Sequence, residues 1–422
     1  MATLQDVLAI HYDSYVRGRR MHPRQARAAQ CILRCYTPAA GSHFDACPHG
    51  HVCTEVLHAC HHRSCPRCAD RPRQQWTDAE LHRLLPCPHF HCVFTLPHEL
   101  LPLWELNREF MIEVLIGAVR CTLLRMLRDP RHLGATPGLL LSLHTWGRNL
   151  SHHPHVHALV SAGGMRPDGS WLATRAGFLL PLPPVRKLFC GLLLAALTER
   201  LNEGTLVLPA SLPPPHWRHL IRALYRKHWN VQINAPYASG RSVTLYLARY
   251  ATGGPLPKDR ELTLHDARVS FDYTDHRDGQ RKRMSLNAHE FIDRILWHAP
   301  PKGVHTIRHA GLYASACREH HRQALIALSL PEQHTTDDND FTTAHANPAT
   351  GPALCPICGA ALCRRFVAPA RAADQISYTS SVPAPGAPAP TAHLGPTLRS
   401  TRHPTAGRAP PRVHRRLRAA AC

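Results

Sequence analysis

The order of apolar and polar residues along the chain predicts both helices and strands. Apolar residues recur at the three- and four-residue spacing of helices with one buried face over 1–36 (as two helices), 71–85, 98–128, 184–204, 216–229, 239–252, 287–297 and 311–328. Runs rich in β-branched and aromatic residues predict strands over 88–97, 139–146 and 153–161, and the alternation over 261–286 predicts a hairpin. Strands joined partly by tight turns and partly by helices indicate an α+β fold built on an antiparallel sheet.

Changes in composition divide the chain into four predicted regions. The first, 1–86, is helical and rich in cysteine and histidine, and the second, 87–315, holds the predicted sheet. A polar linker region follows over 316–368. From 369 to 422, Pro, Ala, Ser, Thr and Arg dominate, and such a composition cannot bury enough apolar surface to fold, so a disordered basic tail is predicted there.

The charge of the chain indicates a nucleic-acid partner. Lys and Arg number 50 against 29 Asp and Glu, which gives a net charge of +21 and a pI near 9.8. Most of this excess remains when the tail is left out, and dispersed basic residues favour phosphate binding through counterion release. No apolar stretch is long enough to span a membrane, and the first residues lack the pattern of a signal peptide. We therefore predict a cytoplasmic, DNA-binding protein without a membrane segment.

The clustered cysteines predict a structural zinc site. In the cytoplasm the 16 cysteines are not expected to form disulfides. Cys65-Pro-Arg-Cys68 has the spacing of a knuckle that directs two thiolates at one Zn²⁺. Cys47 and His51 are the favoured second pair of ligands, and Cys60 is the main alternative.

Two other groups of cysteines carry weaker signals. Cys31 and Cys35 share one face of a predicted helix and are interpreted as core residues. Cys355-Pro-Ile-Cys358, followed by Cys363, forms a second CxxC motif with one cysteine too few for a closed four-cysteine site. Whether this minimal knuckle binds metal stays open.

Two pairs of residues suggest phosphodiester chemistry. His155 and His157 alternate along a predicted strand, so both imidazoles face the same side and could hold a divalent ion together with a third group. Tyr246 and Tyr250 lie four residues apart on a predicted helix, so their hydroxyls share one face. A tyrosine can attack a phosphodiester and conserve the energy of the bond as a phosphotyrosine. Either pair alone also fits an ordinary protein core.

These residues occur within a longer series of motifs that resembles a known family. The series comprises Cys60-His-His-Arg-Ser-Cys-Pro-Arg-Cys68, Phe90-His-Cys-Val-Phe-Thr-Leu-Pro97, Leu143-His-Thr-Trp-Gly-Arg-Asn-Leu150 continuing to His153-Pro-His-Val-His157, Tyr246-Leu-Ala-Arg-Tyr250, and Glu290-Phe-Ile-Asp-Arg294 through to Ile307-Arg-His-Ala-Gly311. In this order, over roughly residues 25–315, it resembles the two-tyrosine HUH transposases of the insertion sequence ninety-one family, named for their His-hydrophobic-His motif.

The resemblance implies a fold and a mechanism. The fold would be an HUH-endonuclease-like antiparallel sheet flanked by helices, preceded by a small zinc-binding, DNA-binding helical domain. His155 and His157 would hold Mg²⁺ or Mn²⁺ against single-stranded DNA, while Tyr246 and Tyr250 would be the nucleophiles. Each cleavage would leave a 5′-phosphotyrosine link, and strands would be exchanged by rolling-circle transposition.

Some assignments stay open beside this resemblance. His91 and His144, on strands expected to neighbour the histidine strand, are both candidates for the third metal ligand. A rolling-circle replication initiator would use the same chemistry. A non-catalytic, zinc-dependent DNA-binding protein would carry the histidines and tyrosines as core residues only.

Overall fold

The computed structural model describes residues 2–238, 254–258, 260–275, 278–329 and 353–368. All of them belong to one compact unit, Met1–Arg371. The predicted tyrosine helix, with Tyr246 and Tyr250, and the predicted disordered tail lie outside the described residues. The predicted division into four regions stays a prediction.

Two short helices begin the chain. Helix α1, Leu4–Val16, starts at Thr3, whose side chain accepts from the Asp6 backbone N–H while the Asp6 carboxylate accepts in return. Helix α2, Pro23–Arg34, has proline in its first turn, where no backbone donor is needed. The next elements are strands β1, Ser42–Ala46, and β2, Cys53–Leu57, which pair as a hairpin, and helix α3, Asp70–Arg83.

The middle of the chain forms an antiparallel sheet with two faces of different chemistry. Its strands are β3 (His89–Thr95), β4 (Thr136–Trp146), β5 (His152–Met165), β6 (Trp171–Ala173), β7 (Val231–Ile233) and β11 (Ile307–Gly311). Their order in the sheet is β11–β4–β5–β3–β7, and β6 pairs with β5. On one face the side chains of β3, β4 and β5 are apolar, among them Phe94, Leu143 and Val156. Helices α5, Arg108–Arg128, and α6, Leu182–Asn202, cover this face and form the main core. The opposite face is therefore free to carry polar groups.

Two shorter helices complete this part of the fold. Helix α4, Leu101–Leu106, precedes α5, and helix α7, Pro214–Arg226, packs against α6. The predicted helices over 98–128, 184–204 and 216–229 are thus present, with the first divided at Asn107. No helix among the described residues is long and apolar enough to cross a membrane.

A second core joins the N-terminal helices to a later part of the chain. Strands β8, Thr263–His265, β9, Arg268–Thr274, and β10, Arg281–Asn287, form a small sheet, and helix α8, Ala288–Trp297, is capped by the Asn287 side chain. Apolar residues of α1, α2 and α8 pack together with this sheet. Tyr15 of α1 donates to Asp293 of α8 at 2.6 Å. The N-terminal segment and residues 256–299 therefore share one core.

The last predicted helix starts later than expected. The range 311–328 was predicted as helical, but the chain runs as β11 up to Gly311, and helix α9 covers Arg318–Ser329. Gly311 has φ +57, and a Cβ at this position would lie 1.9 Å from the Pro137 carbonyl oxygen. Pairing with β4 therefore keeps the chain extended up to Gly311, where only glycine fits, and turns over the following residues delay the helix. The final described strand, β12, Cys363–Ala368, pairs with β1.

Candidate functional site

The polar face of the central sheet collects four histidines from three strands. His144 of β4 is paired in register with His155 of β5, and His157 lies two residues further along the same face. Val93 of β3 is paired with His157, so His91, two residues away, also points to this face. Strand alternation thus aligns the two predicted histidines, and the sheet register adds the others.

His144, His155 and His157 form a buried cluster with the geometry of a metal site. One ring nitrogen from each lies within 4.8 Å of the other two. The Nε2 atoms of His155 and His157 are 3.0 Å apart, which matches the separation of about 3 Å between adjacent ligands of an octahedral ion with bonds near 2.1 Å. His155 Nδ1 lies 2.6 Å from the His153 carbonyl oxygen, to which it donates when Nε2 is a ligand. Of the two candidate third ligands, His144 belongs to the cluster.

His91 is not part of this cluster but contacts His157 from outside it. Its Nε2 lies 2.8 Å from His157 Nδ1, the two rings stack at 5.0 Å, and its own Nδ1 lies 3.2 Å from the Asn234 side-chain amide. Partners of this kind fix the tautomer and orientation of a metal-binding histidine. His91 and Asn234 therefore form a positioning pair that fits His157 as a ligand.

Burial keeps the imidazoles of His144, His157 and His91 in the neutral form, which is the form that binds metals. Desolvation lowers the pKa of His144 and of His157 well below the ordinary value, and the charges of neighbouring groups, including Arg63 beside His144, act in the same direction. Burial also lowers the pKa of His91 to about 4. Charged imidazoles are costly on this water-poor face. The site is thus ready to accept a cation near neutral pH.

The described residues before and after the segment that holds Tyr246 and Tyr250 have defined contacts. Before the segment, Asn234 contacts His91, and Tyr237 pairs with His89 at the end of β3. After it, Gly254 packs so closely on Ser64 that a Cβ there would lie 3.1 Å from the Ser64 Cα.

The cysteines near the N-terminus form a four-thiol cluster. Cys35, Cys60, Cys65 and Cys68 have sulfur atoms within 4.8 Å of one another. The Sγ atoms of Cys60 and Cys68 are 3.7 Å apart, close to the value of about 3.8 Å for two thiolates on a tetrahedral zinc with 2.3 Å bonds. The His62 backbone N–H donates to Cys60 Sγ at 3.4 Å. This is the geometry of a closed structural zinc site.

The predicted set of zinc ligands is divided between two clusters. Cys65 and Cys68 lie in the four-thiol cluster together with Cys60, the alternative ligand. Cys47 and His51 lie together elsewhere, with Cys355 and Cys358. The structure thus brings each predicted pair together but does not bring the two pairs to one site.

Comparisons with known proteins identify the family. Residues 138–321 match a family model described as "Putative transposase", and residues 7–96 match the "Transposase zinc-binding domain". The chain is 34% identical over 345 residues to "Putative transposase y4qJ" of Sinorhizobium fredii, covering 79% of this chain and 87% of that protein. It is 30% identical over 352 residues to the "Transposase for insertion sequence element IS801" of Pseudomonas savastanoi pv. phaseolicola, covering 78% and 80%. The chain is a transposase of the insertion sequence ninety-one family.

The matched regions of the transposase coincide with the two groups of residues described above. The zinc-binding model spans the four-thiol cluster, and this supports structural Zn²⁺ in this domain. The other model spans His144, His155 and His157. The α+β fold predicted from the sequence, with its N-terminal zinc-binding domain, is confirmed. No solved structure matches the transposase.

Sequence reasoning missed ligands that are distant along the chain. Cys35, interpreted as a core residue, is the fourth thiol of the zinc cluster. Cys35 is indeed buried in the second apolar core, so its interpretation as a core residue is correct, but that interpretation misses its place in the four-thiol cluster. The sequence carries no local signal for this position, because Cys35 is the residue that follows helix α2 and lies 25 positions before Cys60.

Proposed function

We propose that this transposase cleaves and rejoins single-stranded DNA at the ends of its element through 5′-phosphotyrosine intermediates. The observation that carries the proposal is the convergence of His144, His155 and His157 on one buried face of the sheet. Tyr246 and Tyr250 are the proposed nucleophiles, on the strength of their spacing and of the family.

The three imidazoles are the proposed ligands of a divalent ion. The cluster holds no carboxylate among the described residues. Imidazole ligands suit the later first-row metals better than Mg²⁺, so the three histidines fit Mn²⁺ better, and DNA phosphate oxygens would be further ligands. When bound, the ion would polarise a phosphate oxygen and help to hold the scissile bond in line.

The transposase's own residues would perform the transfer. The hydroxyl of one tyrosine gives up its proton and its oxygen attacks the scissile phosphorus. The bond from phosphorus to the 3′ oxygen breaks, the tyrosine retains the 5′-phosphate, and the 3′ oxygen takes up a proton, so that the protons balance. In rejoining, a 3′-hydroxyl attacks the phosphotyrosine and releases the tyrosine. The number of phosphodiester bonds is conserved, so no nucleotide hydrolysis is required. The second tyrosine permits a second cleavage before the first link is resolved.

Arg63 brings positive charge to this site. It lies in the zinc segment between Cys60 and Cys65 and lines a small cavity together with Thr145, Trp146 and Gly254. Burial lowers the pKa of its guanidinium to about 10, yet it remains charged at neutral pH. A buried guanidinium beside His144 is well suited to bind a DNA phosphate. The zinc cluster would thus help to position a phosphate-binding residue.

A labelled oligonucleotide tests the proposal. The full-length protein is incubated with single-stranded DNA of the element's end, labelled at either the 3′ or the 5′ terminus. The 3′ label is expected to become attached to the protein, and only with Mn²⁺ or Mg²⁺, because the 5′-phosphate of the downstream fragment stays on tyrosine. The 5′ label should instead appear in a shortened free strand that ends in a 3′-hydroxyl.

Variants and product analysis separate this function from its alternatives. Tyr246→Phe combined with Tyr250→Phe is expected to abolish the adduct, and His155→Ala to reduce it at least tenfold. An adduct that survives the double substitution would disprove the tyrosine assignment. Metal-independent binding of duplex DNA without any adduct would favour a non-catalytic DNA-binding protein. Joining of the element's two ends favours a transposase over a replication initiator.

A further inference from the structure

The segment 353–368 lies outside both regions that match family models. It is nevertheless built into the N-terminal part of the fold. Strand β12 pairs antiparallel with β1, from Ser42 opposite Ala368 to Ala46 opposite Cys363, and makes the β1–β2 hairpin a three-stranded sheet. The CxxC motif just before β12 is thereby brought to the turn that follows β1.

At this turn Cys47 and His51 meet Cys355 and Cys358. One ligand atom from each lies within 4.8 Å of the other three. Cys47 Sγ is 3.5 Å from Cys358 Sγ and 3.6 Å from His51 Nδ1, and Cys355 Sγ is 3.9 Å from the same His51 nitrogen. The sulfur of Cys47 and that of Cys358 belong to residues 311 positions apart. Local sequence alone cannot produce such a convergence.

These distances match tetrahedral zinc coordination. With Zn–S near 2.3 Å and Zn–N near 2.0 Å, a tetrahedral site separates two sulfurs by about 3.8 Å and a sulfur and a nitrogen by about 3.5 Å. A disulfide needs a sulfur separation of about 2.05 Å, and all four cysteines in and beside this group, Cys47, Cys355, Cys358 and Cys363, are free thiols. The group therefore has the dimensions of a metal site rather than of a disulfide.

The backbone on both sides adopts the tight turns of zinc knuckles. Gly50, with φ +79, donates its N–H to the Cys47 carbonyl at 3.0 Å, and the His49 N–H donates to Cys47 Sγ at 3.4 Å. Gly359, with φ +70, donates to the Cys355 carbonyl at 2.8 Å. Such turns direct sulfur atoms towards a common point, and an N–H donated to sulfur favours the thiolate form that binds zinc.

The burial of the two knuckle thiols is not explained by apolar packing. Cys47 and Cys355 are 3% and 2% exposed. Unlike Cys35, Cys65 and Cys68, neither takes part in an apolar core among the described residues. A shared ion accounts for both the burial and the convergence.

We propose that Cys47, His51, Cys355 and Cys358 hold a second structural zinc ion, separate from that of the four-thiol cluster. This ion fastens the segment after the catalytic region to the N-terminal zinc-binding domain. Three thiolates and one imidazole form a closed, tetrahedral ligand set of the type used for structural zinc. The proposal does not depend on the DNA chemistry proposed above.

The zinc content of the full-length protein tests this directly. Wild-type protein, purified without chelator, is expected to contain two zinc ions per chain by elemental mass spectrometry. Cys355→Ser combined with Cys358→Ser should lower the content to one. Cys363→Ser is the matched control, because this exposed thiol lies in the same segment but outside the cluster, and it should retain two.

Thiol protection guards against a loss of zinc that merely reflects misfolding. In the wild type, Cys355 and Cys358 should resist alkylation until a chelator is added, whereas Cys363 should react from the start. A wild-type content of one zinc, a double variant that retains two, or a disulfide between Cys47 and Cys358 in the purified protein would each overturn the proposal.

A pair of histidine variants tests the fourth ligand. His49 is the competing residue, because its Nδ1 lies 3.5 Å from Cys358 Sγ. His51→Ala is expected to weaken zinc retention against a competing chelator at least tenfold, and His49→Ala to change it less than threefold. The reverse result would overturn the assignment of His51.

Discussion

The hydrogen bond between His91 and His157 provides a quantitative test of the histidine site. For His157 Nε2 to bind a metal, the proton of the neutral ring must sit on Nδ1 and be donated to His91 Nε2, 2.8 Å away. His91 must then carry its own proton on Nδ1 and donate it to the Asn234 side chain, whose amide has to turn its oxygen towards the ring. His91→Phe keeps an aromatic ring in place and removes both hydrogen bonds.

The expected effect is a loss of metal affinity with little change in the fold. Removing a hydrogen-bond partner from a metal-binding histidine costs about 10- to 100-fold in affinity, or about 1.4–2.7 kcal/mol. We expect the Kd for Mn²⁺, measured by calorimetry on the full-length protein, to rise by that factor in His91→Phe. Asn234→Leu should raise it less, and Asn234→Asp should preserve it, because a carboxylate also accepts from Nδ1.

The control is a variant of the same strand with a similar structural cost. His89 is also buried, and its Nε2 lies 2.6 Å from the Tyr313 hydroxyl, away from the histidine cluster. His89→Phe should lower the thermal stability without changing the Kd for Mn²⁺. If His91→Phe binds Mn²⁺ within twofold of the wild type, the positioning role of His91 is refuted.

Three further predictions address charge, backbone strain and pH. Arg63→Gln should reduce adduct formation at least tenfold at unchanged zinc content, and Arg63→Lys should restore part of it; equal activity in all three proteins would argue against a phosphate contact. Gly311→Ala should lower the free energy of unfolding, measured in thermal melts, by about 2–4 kcal/mol, because the new Cβ would overlap the Pro137 oxygen. Gly169 has φ +85 but open space around it, so Gly169→Ala should lower the free energy of unfolding by only about 1 kcal/mol. Burial lowers the pKa of His89 from 6.5 to about 4, so the unfolded state binds the extra proton between these values. His89 alone should therefore contribute a loss of about 3 kcal/mol of stability as the pH drops through this window, and a pH dependence of stability that is unchanged in His89→Phe would contradict this.

Much of the central sheet could be predicted because its pattern is local. Strands β3, β4 and β5 and the helices that cover them follow the periodicity of their own residues, and the alternation in β5 alone aligns His155 with His157. The start of α9 could not be predicted in this way. The predicted helix begins at residue 311, where the chain is still paired with β4, a strand more than 160 positions earlier, and turns follow before the helix begins.

The ligand sets show where sequence information ends. Local spacing predicted each close pair, Cys65 with Cys68 and Cys355 with Cys358, because a single turn determines the distance between two such thiols. It could not predict which pairs belong together, and the division of the predicted zinc ligands between two clusters follows from the pairing of β12 with β1.

The sequence by itself thus determined the fold class, the family and the face of the strand that carries His155 and His157. Only the tertiary structure decided that His144 belongs to the same cluster while His91 contacts His157 from outside it, because His144 on β4 is paired with His155, whereas His91 on β3 is paired with Leu159. It also decided that Cys35 completes the four-thiol cluster. The physical reason is the same in each case: a metal site needs four or so atoms within a few ångströms, and distant segments reach that proximity through core packing and strand register, which no local pattern encodes.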